Sequence, residues 1–280
     1  MKYQYFRLFL SEVEQLPILI QAGEISERKT REAYLKEAFS KEWHFKHYAA
    51  EMVYVPVSKK PNDNDNFIFG RYGRKVLDKV NDGPETEFEA AYRESWRAAN
   101  FIADVSHHPD GQKVAAQLNS EVGKPLAILS SLIAQINQEN PDSGWYIDIN
   151  AITEKQNFWE TVQRYKGQIT RAEFTYVTPN VLGIHSTITR RLKDYRQNEN
   201  AQTVSVTLSE PKGQLKFDSQ EVLDTVEYIS EGGGTSKLKV GDKTVFDSST
   251  VDKSVEIESD DTQQIDDKVG RENLKRQLFE

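Results

Sequence analysis

The sequence predicts an α/β protein, with an α+β N-terminal half and a mixed sheet with flanking helices in the C-terminal half. Three observations carry this. Thirteen Phe, twelve Tyr and four Trp in 280 residues supply a core that a disordered chain lacks. Short alternating or β-branched runs recur between Pro-, Gly- and Asn-rich breaks. From Trp145 onward these runs are separated by helical patterns, which predicts crossover connections and parallel or mixed pairing.

The elements follow in order. Residues 2–10 (KYQYFRLFL) alternate apolar with polar and read as a strand. Residues 24–42 read as a helix, with Ala33, Leu35, Ala38 and Phe39 at helical spacing. The run Met52–Val57 is a strand whose Pro56 marks an edge or an end. Lys59–Asn66 is a loop, and Phe67–Arg71 is a strand that Gly73 ends. A hairpin spans Ala98–Asn119 around His107–Gly111, where Pro-Asp-Gly has turn chemistry. Pro125 opens a helix in its first turn, and Asn140–Gly144 closes it.

The C-terminal half starts with the strand WYIDINAI, then a helix over 154–166 with Thr153 as N-cap. The strand AEFTYVT, a helix over 186–197 and the strand TVSVTLS come next. Asp218-Ser-Gln-Glu221 has capping-box form and starts a helix over 219–230, which Gly232–Gly234 terminates. KLKV and KTVF flank Gly-Asp as a two-residue hairpin, and SVEIE is a last strand. RENLKRQLF closes the chain as a short helix or frayed tail. The organisation expected is 1–140, 141–258, and an acidic segment and tail over 259–280.

Composition narrows the function classes. With no cysteine, disulfides, thiolate nucleophiles and iron–sulfur clusters are excluded. Arg7, Ser11, Glu12, Glu14 and Gln15 interrupt the first apolar stretch, so no signal peptide is read and the cytoplasm is the expected compartment. A net charge of -8 argues against dominant non-specific nucleic-acid binding, yet the charge is segregated. Residues 252–268 are acidic and 155–196 are rich in Arg and Lys.

No metal, phosphate-loop or nucleophile motif emerges, and no cofactor is expected. His44 and His47 sit three apart, as two ligands on one helix face would, but without a third ligand at metal spacing. His107 and His108 diverge on their turn. Gly232–Gly234 follows a helix rather than opening one, the reverse of a phosphate cradle. The most informative cluster is basic and aromatic. Arg190, Arg191, Lys193 and Arg196 surround Tyr195, with Arg190, Lys193 and Arg196 on one helical face. Arg71, Arg74 and Lys75 beside Tyr72 form a second strip. Both suit phosphate contacts, while a solvated face with Asp194 and Glu199 as local partners is the more ordinary reading of the helix.

The stretch INAITEKQNFWETVQRYKGQITRAEFTYVTPNVLG, and the charged helix, strand, helix and Gly-rich end after it, resemble Rex-type phage-exclusion proteins and related bacterial defence-island proteins. Tyr176, Pro179 and Asn180 are the distinctive positions. The resemblance implies an antiviral role with DNA binding and self-association, and carries over no catalytic residue.

Three readings follow. The first is a non-enzymatic phage-defence protein that binds nucleic acid or a partner defence protein through the basic helix. The second is a metal-dependent nuclease or nucleotide-processing enzyme using strand carboxylates such as Asp104, Asp148 and Glu173. The third is a scaffold that docks a partner through its acidic segment. The strand TVSVTLS, without Lys or Pro, predicts a homodimer.

Overall fold

The first strand, β1 (Lys2–Glu12), belongs to the larger of two sheets and touches every hydrophobic cluster. A computed structural model describes residues 1–13, 29–57, 66–107, 112–178, 187–251, 253–257 and 265–280. Tyr3, Phe6, Leu8, Phe9 and Leu10 of β1 are all buried. A strand with both faces apolar is one covered on both faces.

β2 (Trp43–His47), β3 (Ala50–Pro56), β4 (Phe67–Asn81), β5 (Ala90–Asp104) and β6 (Lys113–Gln117) form a meander that ends beside β1. The other edge of β1 pairs with β12 (Ser254–Glu256) through Lys2–Gln4, and with β7 (Trp145–Ala151) through Phe6–Glu12. Helix α1 (Arg31–Phe39) starts at Thr30, whose hydroxyl accepts from the Ala33 N–H. Helix α2 (Pro125–Glu139) packs against both β7 and β2, which lie at opposite ends of the sheet, so the sheet curls around it. Its Ile128, Leu129, Leu132, Ile133 and Ile136 fill the enclosed core. Asn137 accepts from the Ile147 N–H at 2.9 Å and donates to the Ile147 carbonyl at 2.7 Å, occupying the outer edge of β7 as a strand would.

The second sheet has the order β11-β10-β8-β9. It comprises β8 (Arg171–Val177), β9 (Thr203–Ser209), β10 (Gly234–Val240) and β11 (Lys243–Asp247). Helices α3 (Lys155–Arg164), α4 (Thr187–Glu199) and α5 (Gln220–Tyr228) accompany it. α3 packs on β11, and α5 contacts both α3 and α4. Phe158 of α3 lies edge-on to Phe217 and Phe246, and Ile188 and Leu192 of α4 are buried in the same cluster. The last helix, α6 (Lys268–Phe279), buries Leu274 and Leu278 against Tyr3, Phe69, Ile102 and Ala115 of the larger sheet. It is capped by Asp267 and is packed rather than frayed.

The α/β class is as expected, but the mixed sheet is not. Every strand ladder among the described residues is antiparallel, and the one parallel pairing among them is an isolated bridge between Ile169 and Gln214. The helix between β8 and β9 does not enforce a parallel crossover, because the chain returns beside β8 in the opposite direction. Other local expectations also shift. Gly73 does not end its strand but sits opposite Ala98 in a ladder running to Asn81. His44 and His47 lie on β2 instead of a helix. The helix expected over 24–42 is described only as Arg31–Phe39, with 24–28 outside the described residues. Glu154, not Thr153, stands at the N-cap of α3. β7 and β12 lie within the 141–258 segment yet pair with β1.

Gly232–Gly234 lie in the seam between the sheets. Gly234 has φ +153°, and a Cβ there would stand 1.9 Å from the Thr175 carbonyl oxygen. Gly232, at φ +90°, would meet the Arg7 side chain at 2.7 Å. The run is a close-packed joint, not a loose one.

Candidate functional site

Beyond the last β3 partner of β4, at Arg74, and the last β6 partner of β5, at Phe101, the two strands continue alone. They form a two-stranded arm with no residue buried from Arg74 to Ala98. Opposed residues in an antiparallel ladder share a face. One face therefore carries Lys75, Leu77 and Lys79 with Trp96, Glu94 and Tyr92, and the other carries Arg74, Val76 and Asp78 with Arg97, Ser95 and Arg93. Leu77 is 63% exposed, Tyr92 65% and Trp96 47%.

The second face is knitted by charge. Arg97 binds both carboxylate oxygens of Asp78, at 2.9 and 3.0 Å. Ser95 donates to the same carboxylate, which holds Asp78 below the usual carboxylate range, helped by Arg97. The turn is ordered by bonds from Asp82 N to Glu89 O and from Glu87 N to Pro84 O. It places Glu87 and Phe88 at φ 54° and 60°, left-handed values that non-glycine residues seldom adopt. Phe88 projects at the tip, 61% exposed, among Asp82, Glu85, Glu87 and Glu89.

The basic strips take separate places. Arg71 forms a two-pronged pair with Asp266, at 2.8 and 2.9 Å, in front of α6. Lys75 pairs with Glu94 and Glu51, and Arg74 is exposed at the base of the arm. On α4, Arg191 pairs with Glu221 at 2.6 Å. Arg196 donates to the Glu12 carbonyl at the far end of β1, with its other terminal nitrogen buried and without a partner among the described residues. Arg190 and Lys193 are exposed. The row through Arg71, Asn100, Gln117 and Tyr3 lies at the start of β1 and Arg196 at its end. Nine residues of strand, roughly 30 Å, separate the strips.

The structure does not bring the candidate carboxylates together. Asp104 ends β5 and accepts from the Ser106 N–H, Asp148 lies on β7, and Glu173 lies on β8 in a pair with Lys239. Burial pushes the Asp148 carboxyl up, and Lys239 holds Glu173 down. Among the described residues no group of three or more His, Asp or Glu side chains could hold a metal ion. His44 bonds to Glu42 and His47 to Ser131. His108 and His185 lie outside the described residues. In the acidic segment 258–264 is likewise outside, while Ile265 is buried and Asp266 exposed.

Sequence reasoning missed the arm because its strands have no buried face. The usual alternation of apolar and polar residues is therefore blurred by Asp78, Arg93 and Glu94. The signal that remained was the β-branched and aromatic content of KVLDKV and AAYRESW. Among the described residues no helix is long and apolar enough to cross a membrane. No family model, curated protein or solved structure matches the chain.

Proposed function

We propose that the protein is a non-enzymatic binding protein that docks onto a protein partner through the β4–β5 arm. The observation that carries this reading is the arm itself: an ordered ribbon in which Leu77, Phe88, Tyr92 and Trp96 all stand exposed. A two-stranded ribbon is marginally stable alone, and an exposed apolar stripe of this kind gains most from a second surface. Trp and Tyr are also the residues that dominate interface energetics. The acidic tip fits a partner whose apolar groove is rimmed by Lys or Arg, and it disfavours phosphate there. The resemblance of the 149–234 stretch to phage-exclusion proteins supports phage defence as the setting.

A photo-crosslinking residue at Tyr92, in the native host, tests this. One protein adduct is expected, and it should disappear when Leu77 and Trp96 are both changed to Ser. Absence of any protein adduct overturns the reading. Arg190 and Lys193, exposed and without an ion-pair partner among the described residues, support a second reading, nucleic-acid binding by α4. Nucleic-acid adducts from the same crosslinker moved to Arg190, with no protein adduct from Tyr92, would favour it.

A further inference from the structure

We propose that the chain forms a two-fold dimer by pairing β9 with β9 of a second copy, joining two four-stranded sheets edge to edge. β9 is an outer strand of its sheet. The bonds from Thr178 N to Gln202 O and from Glu210 N to Thr170 O fix the phase of its ladder with β8. In an antiparallel pair the bonded residues alternate, so Val204, Val206 and Leu208 bond to β8. The main-chain groups of Thr203, Ser205, Thr207 and Ser209 therefore point outward, and none has a partner among the described residues.

The other outer strands are protected. Asn137 occupies the edge of β7, β12 is only three residues long, and β2 is five residues long and carries Lys46. β11 is short, carries Lys243 and Asp247, and faces a register shift between Leu238 and Lys239. Irregularity, charge and covering elements are how sheets prevent edge pairing. β9 has none of them: seven residues, no charge, no Pro and a regular register.

The same features select a second copy. Antiparallel pairing of a strand with itself is two-fold symmetric, so one patch serves both partners. The register that pairs all seven residues centres on Val206. Ser205 then exchanges main-chain bonds with Thr207 of the second copy, and Thr203 with Ser209. Val206, 38% exposed at the open edge, meets its twin, and the Thr and Ser hydroxyls form a ladder on the solvent face.

Oxidation of single-cysteine variants tests both the partner and the register, since the natural chain has no cysteine. Twin Cα atoms at 206 would be about 4.5 Å apart, within disulfide reach. Twins at 204 would be about 13 Å apart. Val206→Cys should therefore cross-link almost completely and Val204→Cys should not. Light scattering should give the parent twice the 32.1 kDa of one chain. Thr207→Pro removes only an outward N–H, so it should halve that mass while melting like the parent. Val206→Asp, which opposes like charges, should do the same if the proline variant fails to fold. A parent of single-chain mass at every concentration overturns the proposal. So does a dimer that survives both edge variants or ignores Val206→Cys.

Discussion

Arg7 and Glu231, 224 positions apart, are joined twice. The Arg7 Nε donates to the Glu231 carbonyl at 2.9 Å, and Nη2 to its carboxylate at 3.2 Å. Arg7 is 3% exposed, a cation enclosed where β1 meets the segment leading into β10. Both bonds are local to that seam, so they tie the two sheets rather than either core.

Arg7→Ala should therefore destabilise the whole protein by about 2–3 kcal/mol, the range for losing hydrogen bonds to a charged group. Arg7→Lys should recover less than half, because an ammonium lacks the fork that reaches both oxygens. Chemical denaturation followed by Trp fluorescence measures this. A loss under about 0.5 kcal/mol for Arg7→Ala, the ordinary surface range, would contradict it.

Two glycines on the same sheet system should respond differently. At Gly234 a Cβ has no room beside Thr175, so Gly234→Ala should lose about 3 kcal/mol or more. Gly167, at φ +74° with nothing within 4 Å, faces only the left-handed backbone cost. Gly167→Ala should lose about 1–2 kcal/mol. Equal losses in paired melts would show that the close approach at Gly234 relaxes.

Burial raises the Asp148 carboxyl above its ordinary value of 3.8, against a lesser opposing effect of the Ile149 N–H. The folded state then holds the proton more tightly than the unfolded one. Ionisation becomes a penalty on folding as pH rises from about 3.8 through the folded value. Asp148→Asn keeps the oxygen that accepts from Ile149 N. It should melt higher than the parent at neutral pH, with the advantage shrinking as pH falls toward about 4. A constant difference across pH would remove desolvation as its cause.

Because no residue from Arg74 to Ala98 is buried, the arm is separable from the cores. Replacing Val76–Ser95 by a two-residue Asn-Gly turn should leave the melting temperature within a few degrees of the parent. The same deletion should abolish co-purification, from the native host, of the protein that the Tyr92 cross-linker captures. Global unfolding would instead assign the arm a structural role.

The cations of α4 divide by environment. Arg190→Glu with Lys193→Glu should leave the melt unchanged, since both are exposed. Arg196→Glu should lower it by setting a carboxylate against the Glu12 carbonyl. If α4 binds nucleic acid, the double variant should flatten the salt dependence by about one log–log slope unit for each phosphate it no longer neutralises. An unchanged slope would retire that reading.

Elements whose chemistry is local were legible in the sequence. Pro125 opens α2, Gly241-Asp242 turns the β10–β11 hairpin, and a polar cap starts α5, although Ser219 rather than the Asp218 of the capping-box reading accepts from the Val222 N–H. Side chains within a few residues settle these, so they can be read without knowledge of the fold. The strand TVSVTLS was equally legible. Strand neighbours were not. β1 meets β7 and β12 across about half the chain or more, and no local pattern encodes a partner's direction, so parallel or mixed pairing was expected where the ladders run antiparallel. The fold alone sets Arg71 level with the start of β1 and brings Arg196 of α4 against its far end. The arm was illegible for a related reason: periodicity records a buried face, and no residue from Arg74 to Ala98 is buried.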